Sequence, residues 1–131
     1  MGKKLTEDVK LYKSLKYFYH ALFLGAIIDV PERSEHRMHI LSDIILNLHK
    51  SVLALLKGLK DEERRSAYGA DYELWERRMR ELTCLRDGWS LPHYEMSGEL
   101  EKLQNKVFEA LDATRRLMMR YVELVKDAEK P

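Results

Sequence analysis

One segment of the sequence carries side chains suited to the cleavage of a phosphodiester. Arg86 and His93 lie in it, separated by six residues. An arginine is always charged, and its planar fork could hold phosphate oxygens and carry developing negative charge without a metal ion. A histidine titrates near neutral pH, so His93 could take a proton from a ribose 2′-hydroxyl or return one to the leaving oxygen. The pair therefore favours RNA as the substrate class.

Other side chains near this pair could bind the substrate. Trp89 and Tyr94 could each provide a face on which an unpaired base stacks. Arg80 belongs to a group of arginines that could form a basic flank leading towards the pair: Arg64, Arg65, Arg77, Arg78 and Arg80. Glutamates are interspersed with these arginines, so ordinary surface ion pairs explain the group at least as well.

The same segment also fits a purely structural interpretation. Arg86 would then bind the last carbonyls of its own helix, where a cation is favoured. His93 would be a loop histidine bonded to the backbone, and Trp89 would cover one end of the hydrophobic core. The residues alone leave both interpretations open.

Other candidate sites are weaker. Arg33 and His39 have a similar spacing, but this pair runs into a predicted helix and lacks a turn that would bring both groups to one end. Glu35, His39 and Asp43 lie four residues apart and could hold a metal ion, although a solvated charged face explains them better. Cys84 has no evident base. We therefore predict neither a metal site nor a cofactor.

Helical periodicity dominates the chain, and no strand pattern occurs. Four main helices are predicted: from the N-cap Thr6 to Ile28, from Ser34 to about Lys60, from Asp71 onwards, and from Ser97 to about Asp127. The stretch from Asp61 to Tyr68 could add a short fifth helix. This pattern predicts an all-α antiparallel bundle of four to five helices. The bundle forms a single domain over residues 1–131, with its core at about 6–128.

The third predicted helix determines where the candidate pair lies. Its apolar stripe reaches Arg86 four residues after Leu82, which places the arginine in the core phase. Gly88 suits the left-handed position that ends a helix. Pro92 fixes the backbone just before His93, and the last helix begins a few residues later. Both members of the pair are therefore expected at the same end of the bundle.

This arrangement resembles the motif of HEPN domains, in which an arginine is followed after four to six residues by a histidine. The residue after the arginine is often Asn, Asp or His in that family, and here it is Asp87. The stretch from 34 to 59 also resembles the second helix of the family. The resemblance covers residues 6–128 loosely, and it implies that Arg86, His93 and Asp87 are catalytic.

The resemblance implies a metal-independent endoribonuclease that acts as a homodimer, with the two motifs facing a shared cleft. Many members are toxins paired with a nucleotidyltransferase antitoxin. In one branch the antitoxin modifies a tyrosine two residues after the histidine, whereas this chain has Glu95 there and Tyr94 beside it. The wide apolar stripes of the first and last predicted helices also favour a homodimer. The alternative is a non-catalytic helical module that binds a partner protein or a nucleotide.

Composition limits the remaining classes. The 131 residues, 45% hydrophobic and 34% charged, suffice for one domain with a core and exclude a disordered chain. The net charge of +1 gives no global attraction for nucleic acid, so a binding site must depend on local arrangement. A single cysteine and the lack of a secretory signal or long apolar run favour the cytoplasm and no membrane partner. The scarcity of Asn and Gln is typical of a thermophile.

Overall fold

The computed structural model describes residues 8–88 and 97–129. These residues form five α-helices: α1 (Val9–Ala26), α2 (Ser34–Leu56), α3 (Asp61–Tyr68), α4 (Ala70–Gly88) and α5 (Ser97–Glu129). Neither range contains a β-strand, so the predicted all-α class is confirmed. The short fifth helix is present as α3, with the predicted bounds.

The start of α1 differs from the prediction. Asp8, and not Thr6, precedes the first turn, and its carboxylate accepts a hydrogen bond from the backbone N–H of Leu11 at 3.0 Å. An aspartate in this position satisfies a donor that the first helical turn leaves free. The predicted cap Thr6 lies outside the described residues. At its other end α1 stops at Ala26, two residues before the predicted end.

The second helix is also shorter than predicted. It begins at Ser34 as expected, but it ends at Leu56 rather than near Lys60. The backbone leaves helical geometry at Lys57, and Gly58 then adopts a left-handed conformation with φ of +92°. Glycine takes this conformation without the steric cost that a side chain would impose. The glycine therefore ends the helix before the charged run begins.

Neighbouring helices run antiparallel. Near the start of α1, Asp8 accepts a hydrogen bond of 2.7 Å from the Tyr121 hydroxyl near the end of α5. Lys10 donates to the carbonyl of Lys57, just after α2, at 3.3 Å. Contacts between the helices give the order α1, α2, α4, α5 around the bundle. The last turns of α1 and α4 and the first turns of α2 and α5 therefore share one end, here called the upper end.

The core is built mainly from the stripe of α2 and the facing sides of α4 and α5. Its most buried large side chains are Ile28, Leu41, Ile44, Leu48, Leu56, Leu82, Leu103 and Leu117. Two polar contacts are enclosed with them. The hydroxyls of Ser14 and Ser51 lie 2.9 Å apart, and the Trp75 indole N–H donates to the Thr114 hydroxyl at 3.1 Å. Both contacts satisfy groups that would be costly to bury unpaired.

One stretch among the described residues, Glu35–Leu56 of α2, is long and apolar enough by length and composition to cross a bilayer. Its mean hydropathy is 1.3, and 44% of the most apolar window is buried inside the bundle. A core helix of a bundle meets the same criteria. The packing of α2 therefore accounts for its hydropathy.

Asp8 ties the start of α1 to the end of α5. Partial burial of its carboxyl group acts to raise the pKa. The hydrogen bonds from Tyr121 and from the backbone N–H of Leu11 outweigh that effect, and the pKa lies below its usual value. The ionised form is therefore the one that stabilises the fold.

Replacing Asp8 with Ala should lower the free energy of unfolding at pH 7 by about 1–2 kcal/mol, because the helix cap and the Tyr121 bond are both lost. Since the folded pKa is lowered, this stabilisation is complete above about pH 4 and disappears as the pH falls through the folded value. Urea unfolding should therefore show the two proteins converging between pH 7 and pH 2. Asp29→Ala, an exposed control, should change the stability by less than about 0.5 kcal/mol. An equal loss in both variants would contradict the role of Asp8.

Candidate functional site

Arg86 lies in the last turn of α4, at the upper end of the bundle. The preceding residues of its stripe are almost fully buried: Tyr72, Trp75, Met79 and Leu82 are each at most 5% exposed. The side chain of Arg86 is 34% exposed, so it lies at the edge of the core and not within it. The predicted phase is correct, but the helix passes the boundary of the core after Leu82. Arg86 is consequently accessible to a ligand.

The contacts of Arg86 leave most of its guanidinium free. Its Nε donates to Oδ1 of the neighbouring Asp87 at 3.2 Å. Within residues 8–88 and 97–129 it has no other hydrogen-bond or ion-pair partner, and it does not bond the last carbonyls of α4. Gly88, the glycine predicted to end this helix, is the last residue of α4 as the structure describes it. The structural interpretation of Arg86 as a helix cap finds no support in these contacts.

Three of the predicted site residues lie outside the described residues. His93, Trp89 and Tyr94 all belong to 89–96, the stretch that joins α4 to α5. Arg80 is described and lies six residues before Arg86 on α4, exposed to solvent. Of the predicted site, the structure therefore describes Arg80, Arg86 and Asp87.

The predicted basic flank divides into paired and unpaired arginines. The pairs are Arg65 with Asp61, Glu73 and Glu76, and Arg78 with Glu81 and Glu109. Arg64 donates to the carbonyls of Leu56 and Leu59 and so closes the end of α2. Arg80 has no ion pair within the described parts of the chain. Ordinary pairing therefore explains Arg65 and Arg78, whereas Arg80 is available to an external anion.

The structure brings His49 of α2 into this region, which the sequence analysis did not single out. Its imidazole is half-buried and meets the edge of the Trp75 ring, with centroids 5.3 Å apart. No hydrogen bond joins it to the residues that the structure describes. Its position, four residues after Ile45 and three before Val52, marks the rim of the core stripe. The sequence shows that His49 lies at the edge of the apolar stripe of α2. It does not show which helix packs against that edge.

The environment of His49 keeps its imidazole neutral. Burial lowers the pKa, and the positive charge of Arg86 lowers it further. Glu76, the nearest groove carboxylate, is held by Arg65 at 2.9 Å. A neutral imidazole can accept a hydrogen bond or a proton at pH 7. The site therefore combines a free guanidinium with a nearby acceptor.

The weaker candidates of the sequence analysis do not form sites. Arg33 pairs with Glu35 at 3.3 Å on an exposed surface, and His39 is exposed on α2. Among the described residues, no three His, Cys, Asp or Glu side chains come together as metal ligands, so Glu35, His39 and Asp43 make no such cluster. Cys84 is a free, exposed cysteine.

His49 should titrate below 6.5 when its ring-proton signal is followed by NMR. Arg86→Gln should raise this pKa part of the way, because the charge is removed while the burial remains. Since the folded pKa is lowered, the fold should lose stability as the pH falls through about 6.5. Arg33→Gln removes a charge at the start of the same helix and should leave the titration unchanged. A value of 6.5 or above in the wild type would contradict the placement of His49 beside Arg86.

Comparisons with protein-family models, with curated proteins and with solved structures found no match. The likeness to HEPN domains therefore rests on the sequence motif and on its position between two helices of an all-α bundle.

Proposed function

We propose that the protein is a metal-independent endoribonuclease of the HEPN type that cleaves single-stranded RNA. The observation that carries the proposal is the state of Arg86. This guanidinium is accessible at the upper end of the bundle, and Asp87 is its one partner among residues 8–88 and 97–129. Its helix leads in sequence into the stretch with His93. An accessible arginine with two free nitrogens matches the oxygens of a phosphodiester.

Asp87 supports Arg86 in this role. Its carboxylate engages Nε, and neither Nη group bonds any other part of the chain that the structure describes, which leaves both for phosphate oxygens. Contact with a carboxylate also restricts the guanidinium, which reduces the entropy lost on binding. Other arginines of α4 differ, because Arg78 is engaged by Glu81 and Glu109. Asp87 is therefore a positioning residue for Arg86.

The chemistry needs one proton acceptor and one anion clamp. His93 takes the proton of the ribose 2′-hydroxyl, and the 2′-oxygen attacks the adjacent phosphorus. The bond to the 5′-oxygen then breaks, and that oxygen receives the proton from the imidazolium. Arg86 stabilises the negative charge that develops on the phosphate oxygens. The products carry a 2′,3′-cyclic phosphate and a 5′-hydroxyl, with no hydrolytic water or metal ion required in this step.

We also propose that two copies pair through the seam between α1 and α5. α1 carries the exposed Tyr19 and Phe23, and Phe108 of α5, at the seam, is 74% exposed. Beside Phe108 lies a cavity of about 510 Å³ lined by Leu22, Gly25 and other residues of the seam. In an isologous dimer each Phe108 can fill the cavity of the other copy, because a two-fold axis pairs the same patch with itself. The cavity lies towards the upper end, so pairing brings both Arg86 sites to one side.

If the protein is a toxin, its partner is a nucleotidyltransferase antitoxin encoded beside it. The alternative remains a non-catalytic module that binds a partner protein or a nucleotide through the same arginines. Free guanidinium nitrogens serve binding as well as catalysis. The two functions differ in one measurable outcome, which is cleavage.

Purified protein should cut single-stranded RNA in EDTA and leave DNA of the same sequence intact, because DNA lacks the 2′-hydroxyl. His93→Ala should reduce the rate by about 10²–10⁴ while the helical content stays unchanged. Arg86→Lys should also be strongly impaired, since a point charge does not replace the bidentate fork. End-group analysis of the products and circular dichroism of each variant give the readouts.

His39→Ala is the matched control, because it removes an exposed histidine from the other Arg–His pair. It should cut at the wild-type rate. Full activity of His93→Ala, or no cleavage by folded wild-type protein, would exclude the catalytic proposal and favour the binding module.

Sedimentation at tens of micromolar should show a dimer that Phe108→Asp converts to monomer, because a carboxylate cannot enter the apolar cavity. Leu46→Asp changes an exposed leucine on α2, away from the seam, and should remain dimeric. A monomeric wild type would remove the proposed pairing.

A further inference from the structure

A groove of about 450 Å³ lies between α2 and α4, on the side of the bundle opposite the α1–α5 seam. His49 and Leu53 line it from α2, and Arg80, Thr83 and Cys84 line it from α4. Arg64 lines its lower end, where it also closes α2. The metal-independent cleavage described above makes no use of this groove.

The groove has an excess of positive charge. Arg80 is exposed and has no ion pair within the described residues, while Arg64 bonds only backbone carbonyls there. Glu76 is the carboxylate of the lining, and its partner Arg65 neutralises it at 2.9 Å. Arg86 lies beyond the upper end of the groove, and its charge reaches His49. A nearly neutral protein thus presents a local basic track.

The wall between these charges can receive a flat ring. His49 presents a half-buried imidazole that packs against the Trp75 ring in a T-shaped arrangement, with an interplanar angle of 79°. Leu53, 47% exposed, adds an apolar surface one helical turn away. A histidine face and an aliphatic contact suit a nucleobase, whose two faces are apolar and whose edges carry hydrogen-bonding groups.

The dimensions favour a strand over a mononucleotide. Arg80 and Arg86 are six residues apart, which is about 9 Å along the axis of α4. The lining from Tyr72 to Cys84 extends over about 18 Å. Because Arg80 lines the groove and Arg86 lies beyond its upper end, successive phosphates of a strand can contact the two arginines in turn.

We infer that the α2–α4 groove is a binding track for single-stranded nucleic acid, with backbone phosphates on Arg80 and Arg86 and a base against His49 and Leu53. The choice of a nucleic-acid strand as the ligand rests on the proposed function. The track leads to Arg86, the arginine proposed to bind the scissile phosphate. The track is an additional binding site for the part of the substrate that is remote from the cleaved bond. Binding at this track requires no 2′-hydroxyl.

An uncleavable probe separates binding from catalysis. Single-stranded DNA of about ten nucleotides, labelled with a fluorophore, should bind wild-type protein in an anisotropy titration. Each phosphate contact on a single strand contributes about 0.7 to the slope of log affinity against log salt. Arg80→Ala should therefore lower this slope by about 0.7 and weaken binding about fivefold at 0.1 M salt. The loss should be the same for all sequences, because phosphates carry no base identity.

Arg115→Ala is the matched control, since it removes one exposed arginine from α5, outside the groove. It should leave both the affinity and the salt slope at the wild-type values. An unchanged slope in Arg80→Ala, or no binding of the strand by wild type, would overturn the track. Equal competition by inorganic phosphate or a mononucleotide at equal phosphate concentration would reduce the groove to a small-anion site and would also overturn it. Equal competition by a poly-glutamate peptide would assign the groove to an acidic protein.

The imidazole of His49 gives a second readout that does not depend on charge removal. A bound phosphate backbone favours the imidazolium, so saturation with the DNA strand should raise the pKa of His49. The charged and titratable groups around it are Arg64, Arg80, Arg86 and Cys84, together with the paired Glu76. His49→Gln identifies the signal among the five histidines. An unchanged pKa at saturation would place the strand elsewhere.

The outcomes for the two proposals are distinguishable. Strand binding that depends on Arg80, without cleavage of RNA, would retain the track and exclude the ribonuclease. Cleavage of RNA with the same KM in wild type and Arg80→Ala would retain the ribonuclease and exclude the track.

Discussion

The packing of the Trp75 indole is the constraint on which the position of α4 depends. Its N–H donates to the Thr114 hydroxyl of α5, and its ring meets the imidazole of His49 on α2. A buried indole N–H without a partner costs more than the bond itself contributes, so α4 cannot slide or rotate without a penalty. One side chain therefore fixes α4 against two other helices. The resulting register decides where Arg80 and Arg86 reach the surface.

Ion pairs between α4 and α5 also hold α4 in position. Glu81 accepts from both Arg78 and Lys106, which joins α4 to α5 through an ionic network. Burial acts to raise the pKa of the Glu81 carboxyl, but Lys106 and Arg78 outweigh this and lower it. These partly exposed contacts add little to stability individually, but they occupy the nearby cations and carboxylates. Among the described residues, Arg80 and Arg86 make no ion pair with members of this network, although Arg80 lines a surface cavity beside Glu81 and Lys106.

The two seams of the bundle consequently have different characters. The α1–α5 seam exposes Phe23 and Phe108 beside a cavity, and an exposed apolar patch with an adjoining cavity is typical of a surface that pairs with another molecule. The α2–α4 seam carries His49 and Arg80 and is suited to a hydrated anionic ligand. Because the seams lie on opposite sides, a dimer through the first leaves the second open. The proposed pairing and the proposed strand binding therefore use different surfaces.

The sequence by itself determined the helical class, the approximate bounds of each helix and the stripe that becomes the core. These follow from local periodicity, since the spacing of apolar residues along one helix needs no knowledge of its neighbours. It also located Arg86 at the end of a helix. It named Thr6 and not Asp8 as the first cap, since both residue types suit that position locally. The additional bond from Tyr121, 113 residues away, could not be read from local sequence.

Only the tertiary structure decided which polar groups meet. His49 and Arg86 are far apart in the chain and become neighbours because α2 and α4 pack side by side. Likewise, the pair of Arg78 with Glu81 is local, three residues apart, but its second partner, Glu109, lies on α5. That partner is available only because α4 and α5 pack together. The electrostatics of the site are therefore a property of packing, whereas the helices that carry it are a property of sequence.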